Sequence, residues 1–227
     1  MRNAFAIACI ATLVAACTGT PEIQTGPDAE TIEGTNLTRV DNTRAEMAYR
    51  DPQADFTGFK RVLIQPLGVD NIEVIQPSNS YSTVGRGNWE LTEQDKTNLQ
   101  NAFMDAMVKQ LEDKGSFPIA DEPGDDVLEI DAKLLAIAPN APKDDFSSRP
   151  TGRSRVYTEG AGSMAVMVAF GDSETGEVLA LIKDSRTATG FWGQNNSVSN
   201  LADVRRMFTS WATQINTGLE RLQAEAN

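Results

Sequence analysis

The sequence predicts one α+β domain: a mainly antiparallel sheet of four to five strands with two helices packed on one face. Three observations predict it. Residues 126–138 alternate apolar and polar side chains, the period of a half-buried strand. Two β-prone runs, residues 164–170 and 178–188, flank the turn signal Asp172-Ser173-Glu174-Thr175-Gly176. Two further stretches, residues 91–115 and 200–225, repeat apolar residues at helical spacing. Strand, helix, strands and helix in that order leave two helices to cover one sheet face.

Taken along the chain, the first element precedes the fold. Arg2 is followed by an uncharged run over residues 4–16. Its length suits a signal-peptide core and falls short of the ~20 residues a membrane-spanning helix needs. The run ends in Leu13-Val14-Ala15-Ala16-Cys17, which resembles a bacterial lipobox. Small side chains there give a peptidase access to the Ala16–Cys17 bond, and the thiol takes up a diacylglyceryl group. The alternative is an ordinary cleaved signal with an incidental cysteine. Cys9 leaves with residues 1–16, so the mature chain keeps a single cysteine, Cys17, and no disulfide. Thr18 stands where an inner-membrane retention signal has Asp, so the expected location is the outer membrane, lipid-anchored on its periplasmic face. Several acyl chains on Cys17 exceed the two-signal requirement for stable anchoring.

Residues 17–58 are rich in Thr, Glu, Asp, Gly and Pro and lack a sustained apolar period. They read as a lipidated flexible tether, with a short helix around residues 37–47. A coil of that length has a reach of about 35 Å by the ~5–6 Å × √n rule, enough to hold a domain off the membrane. Residues 59–227 read as the single α+β domain. Its first strand lies in Arg61–Val69, where Pro66 marks an end or an edge. A long polar loop over residues 71–89 follows. The first helix takes Thr92 as N-cap with Glu93 and Asp95 in its first turn, and Gly115 closes it. Leu99, Phe103, Met107 and Leu111 recur every four residues along it. The last helix takes Asn200 as N-cap. Its Leu201, Phe208, Ile215 and Leu222 are seven apart, which suits an amphipathic helix on its own sheet or a coiled-coil seam for a partner.

The chain has 227 residues, enough for one domain with a core, and a net charge of −12. That charge repels nucleic acid and anionic surfaces unless a basic patch is segregated. The absence of histidine removes His-based triads and His metal sites. Asp172-Ser173-Glu174-Thr175-Gly176 could open a calcium loop, but Glu177 and Lys183 stand where an EF-hand needs Gly and Glu, which favours a hairpin turn. Acid pairs at 121–122, 125–126 and 144–145 flank turns and read as solvated corners. Gly85-Arg86-Gly87 lacks the Lys-Ser/Thr of a phosphate loop. Phe191-Trp192-Gly193 reads as a core plug under Trp211, or as an interface anchor. No catalytic, cofactor or metal residue emerges. The one basic concentration is Arg149, Arg153 and Arg155. These three are the candidate contact for an anionic partner, against the alternative that they pair with the chain's own carboxylates.

Tyr49-Arg50-Asp51-Pro52-Gln53-Ala54-Asp55-Phe56, Gly58-Phe59-Lys60-Arg61-Val62-Leu63-Ile64-Gln65-Pro66-Leu67, Leu91-Thr92-Glu93-Gln94-Asp95 and the Asp172-to-Leu179 hairpin share an order and spacing. With the lipobox, they resemble the bacterial lipoprotein family known as domain of unknown function 3313, over roughly residues 35–225. The plan is more distantly similar to the amino-terminal domain of TolB, to penicillin-binding-protein activator lipoproteins and to the curli secretion lipoprotein. That resemblance implies a non-enzymatic module that binds an envelope protein partner, and it brings no catalytic residues. A small-molecule or lipid-binding protein is the alternative, its ligand entering between sheet and helix with Arg149, Arg153 and Arg155 at the mouth.

Overall fold

The chain was analysed as a computed structural model, which describes residues 19–77, 89–141, 157–188, 192–194 and 197–224. It begins with three short strands, β1 (Glu22–Ile23), β2 (Thr38–Asp41) and β3 (Met47–Arg50). Strand β4 (Arg61–Ile64) stops short of Pro66, and β5 (Glu73–Val74) follows. Helix α1 (Glu93–Val108) runs into a π turn over Lys109–Asp113. Strands β6 (Val127–Pro139), β7 (Tyr157–Glu159), β8 (Gly162–Asp172), β9 (Val178–Thr187) and β10 (Trp192–Gln194) precede the long helix α2 (Ser197–Ala224).

Eight strands form one mixed sheet in the order β1-β2-β3-β9-β8-β6-β4, with β5 beside β4 on β6; β7 and β10 make a separate pair. The sheet is mainly antiparallel as expected, but it holds eight strands where four to five were expected, and one edge of it is parallel. Strands β4 and β5 pair parallel with β6, and α1 supplies the crossover that parallel neighbours require.

The tether expected over residues 17–58 is also corrected from Gly19 onward. Residues 37–47 hold no helix; β2 and β3 occupy that region instead. Strand β3 pairs antiparallel with β9, placing Ala48 opposite Ile182 and Arg50 opposite Ala180. Leu37, Ala48 and Tyr49 are buried. Strands of two to four residues are too short to show an alternating period.

The helices do cover one face. Leu128, Ile130, Ala132 and Leu134 of β6 and Met164, Val166, Val168 and Phe170 of β8 pack there with both helices. Register shifts after Leu134, so Leu135 forms a bulge. The capping box of α1 is complete: the Asp95 N–H donates to Thr92 Oγ1 at 3.2 Å, and the Thr92 N–H donates to Asp95 Oδ2 at 2.9 Å. Gly115 lets the chain turn closely under α1, since a Cβ there would come within 2.5 Å of the Leu111 carbonyl oxygen. Helix α2 begins at Ser197, one turn before the expected Asn200. Its Phe208 meets Phe103 of α1 edge-on at 5.7 Å. The seven-residue spacing therefore serves the chain's own core.

Candidate functional site

One row of side chains crossing the sheet on its helix side ends in a small residue on β3. It runs Ala132, Val168, Ile182 and Ala48, and the next row ends in Ala180 opposite Arg50. Above these small residues α2 presents Gly218, where a built Cβ would meet nothing within 4 Å. Small residues on both sides leave the space between helix and sheet unfilled. The result is a cavity of ≈470 Å³ between β3, β9 and the carboxyl-terminal half of α2. That size falls within the range of small-ligand sites.

The walls are mainly apolar. Phe56, Phe170, Ile182, Trp211, Ile215, Leu219 and Leu222 line the space, and Gly19, Thr20, Pro21 and Ile23 close one flank. Three guanidinium-bearing residues, Arg44, Arg50 and Arg221, also line it. Arg50 stacks over the Phe56 ring at 5.4 Å. Gly19 sits close on Asn42, with a built Cβ 3.1 Å from Asn42 Cγ, so the described chain starts packed against this site.

One buried carboxylate orders the wall. Asp184, on β9, accepts the indole N–H of Trp211 at 2.7 Å and the backbone N–H of Glu46 at 3.2 Å. It also pairs with Arg186 Nε at 3.0 Å, and Arg186 lies over the Trp211 ring at 5.4 Å and donates to Ser210 and Gln214. These contacts fix α2 to β9 at one end of the cavity. On the outer sheet face, the Ser185 hydroxyl and then Lys183 hold the Glu46 carboxyl below its usual range. The Tyr49 hydroxyl donates to Glu30, which pushes its ionisation up. Neither group reads as poised for catalysis.

Cys17, Arg149, Arg153 and Arg155 lie outside the described residues, as do Gly85-Arg86-Gly87, Phe191 and the acid pair at 144–145. The flanks of the arginine segment are described: Pro139 pairs with Gly162 at one end of the sheet. Among the described residues, the arginines lining the cavity are Arg44, Arg50 and Arg221. Sequence reasoning missed these because they are scattered singly along the chain and meet only through the fold. Trp192 falls in β10, opposite Glu159.

The calcium-loop alternative is settled by geometry. Asp172 Oδ1 accepts the N–H groups of Glu174 and Thr175 at 2.9 and 2.8 Å, and Gly176 has φ 71°. That is a hairpin turn whose carboxylate is already engaged. Among the described residues, no group of three or more acidic or sulfur ligands could hold a metal ion. No helix among them is long and apolar enough to cross a membrane. Asp126 forms an ion pair with Arg61, both side chains partly exposed, in keeping with a solvated corner.

Comparison with curated proteins gave no match. Among solved structures, the chain is similar to protein XCC0632 from Xanthomonas campestris, of the family model DUF330. That pair shares 14% identity and a TM-score of 0.41, covering 74% of this chain and 88% of the other. It is also similar to the PelC dodecamer protein from Paraburkholderia phytofirmans, at 8% identity and TM-score 0.34, covering 72% and 91%. A minor lipoprotein from Acinetobacter baumannii matches at 10% identity and TM-score 0.30, covering 70% and 94%. One family model, described as Protein of unknown function (DUF3313), matches residues 34–215, and the chain belongs to that family.

Proposed function

We propose that this chain is an envelope lipoprotein, acylated at Cys17 and held on the periplasmic face of the outer membrane, whose domain binds a lipid-like ligand. The ligand has one apolar chain and an anionic head, and the reading assigns no enzymatic step. The observation that carries it is the ≈470 Å³ apolar cavity between sheet and α2 with Arg44, Arg50 and Arg221 on its wall. Apolar walls reward a hydrocarbon chain at ~25 cal/mol per Å² removed from water. A guanidinium offers an anionic head a charge-assisted, bidentate hydrogen bond.

The sequence alone favoured a protein-partner module, and the cavity shifts the weight to the small-molecule or lipid-binding alternative. Strand pairing places Lys133, Met167, Lys183 and Met47 in one row of the outer sheet face, and Asp131, Ala169 and Leu181 in the next. Charges interleave with apolar groups there, as on a solvated surface. The test is native mass spectrometry of the chain beginning at Thr18, purified without detergent. A mass excess equal to one lipid, released on denaturation, is expected. A bare chain mass that persists after incubation with a total membrane lipid extract would refute the ligand class.

A further inference from the structure

We infer that the cavity's resident ligand is one of the acyl chains carried by the protein's own Cys17. This rests on the apolar-chain half of the lipid-binding reading above and names the source of that chain; the lipid on Cys17 carries no anionic head, so its fit rests on the apolar walls alone. The cavity flank contains Gly19, Thr20 and Pro21. Cys17 precedes Gly19 by two residues, so its Cα lies within about 7 Å of Gly19, given the ~3.3–3.6 Å that each residue spans when extended. The long stand-off expected from composition does not exist, because the fold begins where the anchor ends.

That short leash decides between competing ligands. A group joined through a short linker has an effective concentration in the millimolar range. A free lipid present at micromolar concentration is then displaced on the order of a hundredfold or more. The chemistry matches as well: a hydrocarbon chain meets Ile182, Ile215 and Leu219, and Gly218 leaves open space beside it. With one chain stowed, the remaining acyl chains still satisfy the two-signal requirement for stable anchoring. The domain then rests directly on the bilayer with its cavity mouth at the anchor.

The experiment compares two forms of the protein by titration with a dansyl-labelled fatty acid. One is the lipidated full chain in nanodiscs, and the other begins at Thr18, lacks Cys17 and keeps every described residue. The Thr18 form should bind the probe saturably, and the lipidated form on the order of a hundredfold more weakly. Equal affinity for the two forms would overturn the self-occupied cavity while leaving the lipid-binding reading intact. Failure of both forms to bind would remove both. A second readout uses a photoreactive fatty acid incorporated metabolically into the Cys17 lipid. Irradiation should join the amino-terminal lipopeptide to the α2 peptide that holds Ile215–Leu222 within one molecule. Cross-links confined to bilayer lipids would contradict the inference.

Discussion

Gly218 offers two opposite perturbations at one position. A glycine inside a helix costs about 1 kcal/mol relative to alanine, and α2 has six further residues beyond it. A Cβ at Gly218 would meet nothing within 4 Å, so Gly218→Ala adds helix propensity without a clash. The expected gain is about 1 kcal/mol, or roughly 2–4 °C in Tm for a domain of this size. Gly218→Phe places a ring in the same open space, between Ile182 of β9 and Leu222 of α2. It should leave the fold standing and lower affinity for a dansyl-labelled fatty acid by tenfold or more. Thermal unfolding followed by circular dichroism reads the first effect, and probe titration reads the second. Destabilisation by Gly218→Ala would mean that the space is not open. Unchanged probe binding in a folded Gly218→Phe protein would mean that the ligand sits elsewhere.

Four further outcomes follow from the same geometry. Starting the chain at Phe59 removes β1 to β3 and leaves β9 as an unpaired edge beside uncovered Ala180 and Ile182; the product should aggregate, and a cooperative melt would contradict the sheet order. Asp184→Ala leaves the buried Trp211 N–H without its acceptor and should cost about 2–4 kcal/mol in urea unfolding, whereas a change below ~1 kcal/mol would demote that contact. Gly115→Ala drives a Cβ toward the Leu111 and Gln110 carbonyl oxygens and should cost about 1–3 kcal/mol; a neutral result would show that the turn has slack. The Asp172 carboxyl is held below its usual range chiefly by the Thr175 N–H. Its contribution is therefore complete above the unfolded value of ~3.9 and fades as pH falls through the depressed folded value. Urea midpoints for the native chain should drop below about pH 4, and Asp172→Ala should soften that drop; parallel acid profiles would remove Asp172 from the account.

The long elements were legible because their periods repeat. Strand β6 buries every second residue from Leu128 to Leu134, and α1 carries both its cap and a four-residue stripe. The hairpin was legible because Asp172 and Gly176 each have a turn-specific task. The amino-terminal strands were not, since Thr38-Arg39-Val40-Asp41 and Met47-Ala48-Tyr49-Arg50 hold too few residues to establish a period. Their side chains are mixed in polarity, and composition alone cannot tell such short strands from a tether. The cavity left no local signature either. It arises where Ala48, Ala180 and Gly218, far apart in the chain, fail to fill the space between two layers. Arg44, Arg50 and Arg221 converge on it only through the pairing of β3 with β9 beneath α2.

The most direct test uses Trp211, which lines the cavity, as the reporter. The chain beginning at Thr18, with Trp89 and Trp192 replaced by Phe so that Trp211 alone emits, is titrated with a dansyl-labelled fatty acid while tryptophan emission is recorded. Saturable, equimolar quenching with energy transfer to the dansyl group is expected, lost in Gly218→Phe and weakened when Arg50 and Arg221 are both replaced by Ser. Quenching that does not saturate, or that persists in Gly218→Phe, would contradict the assignment of this cavity as a lipid site.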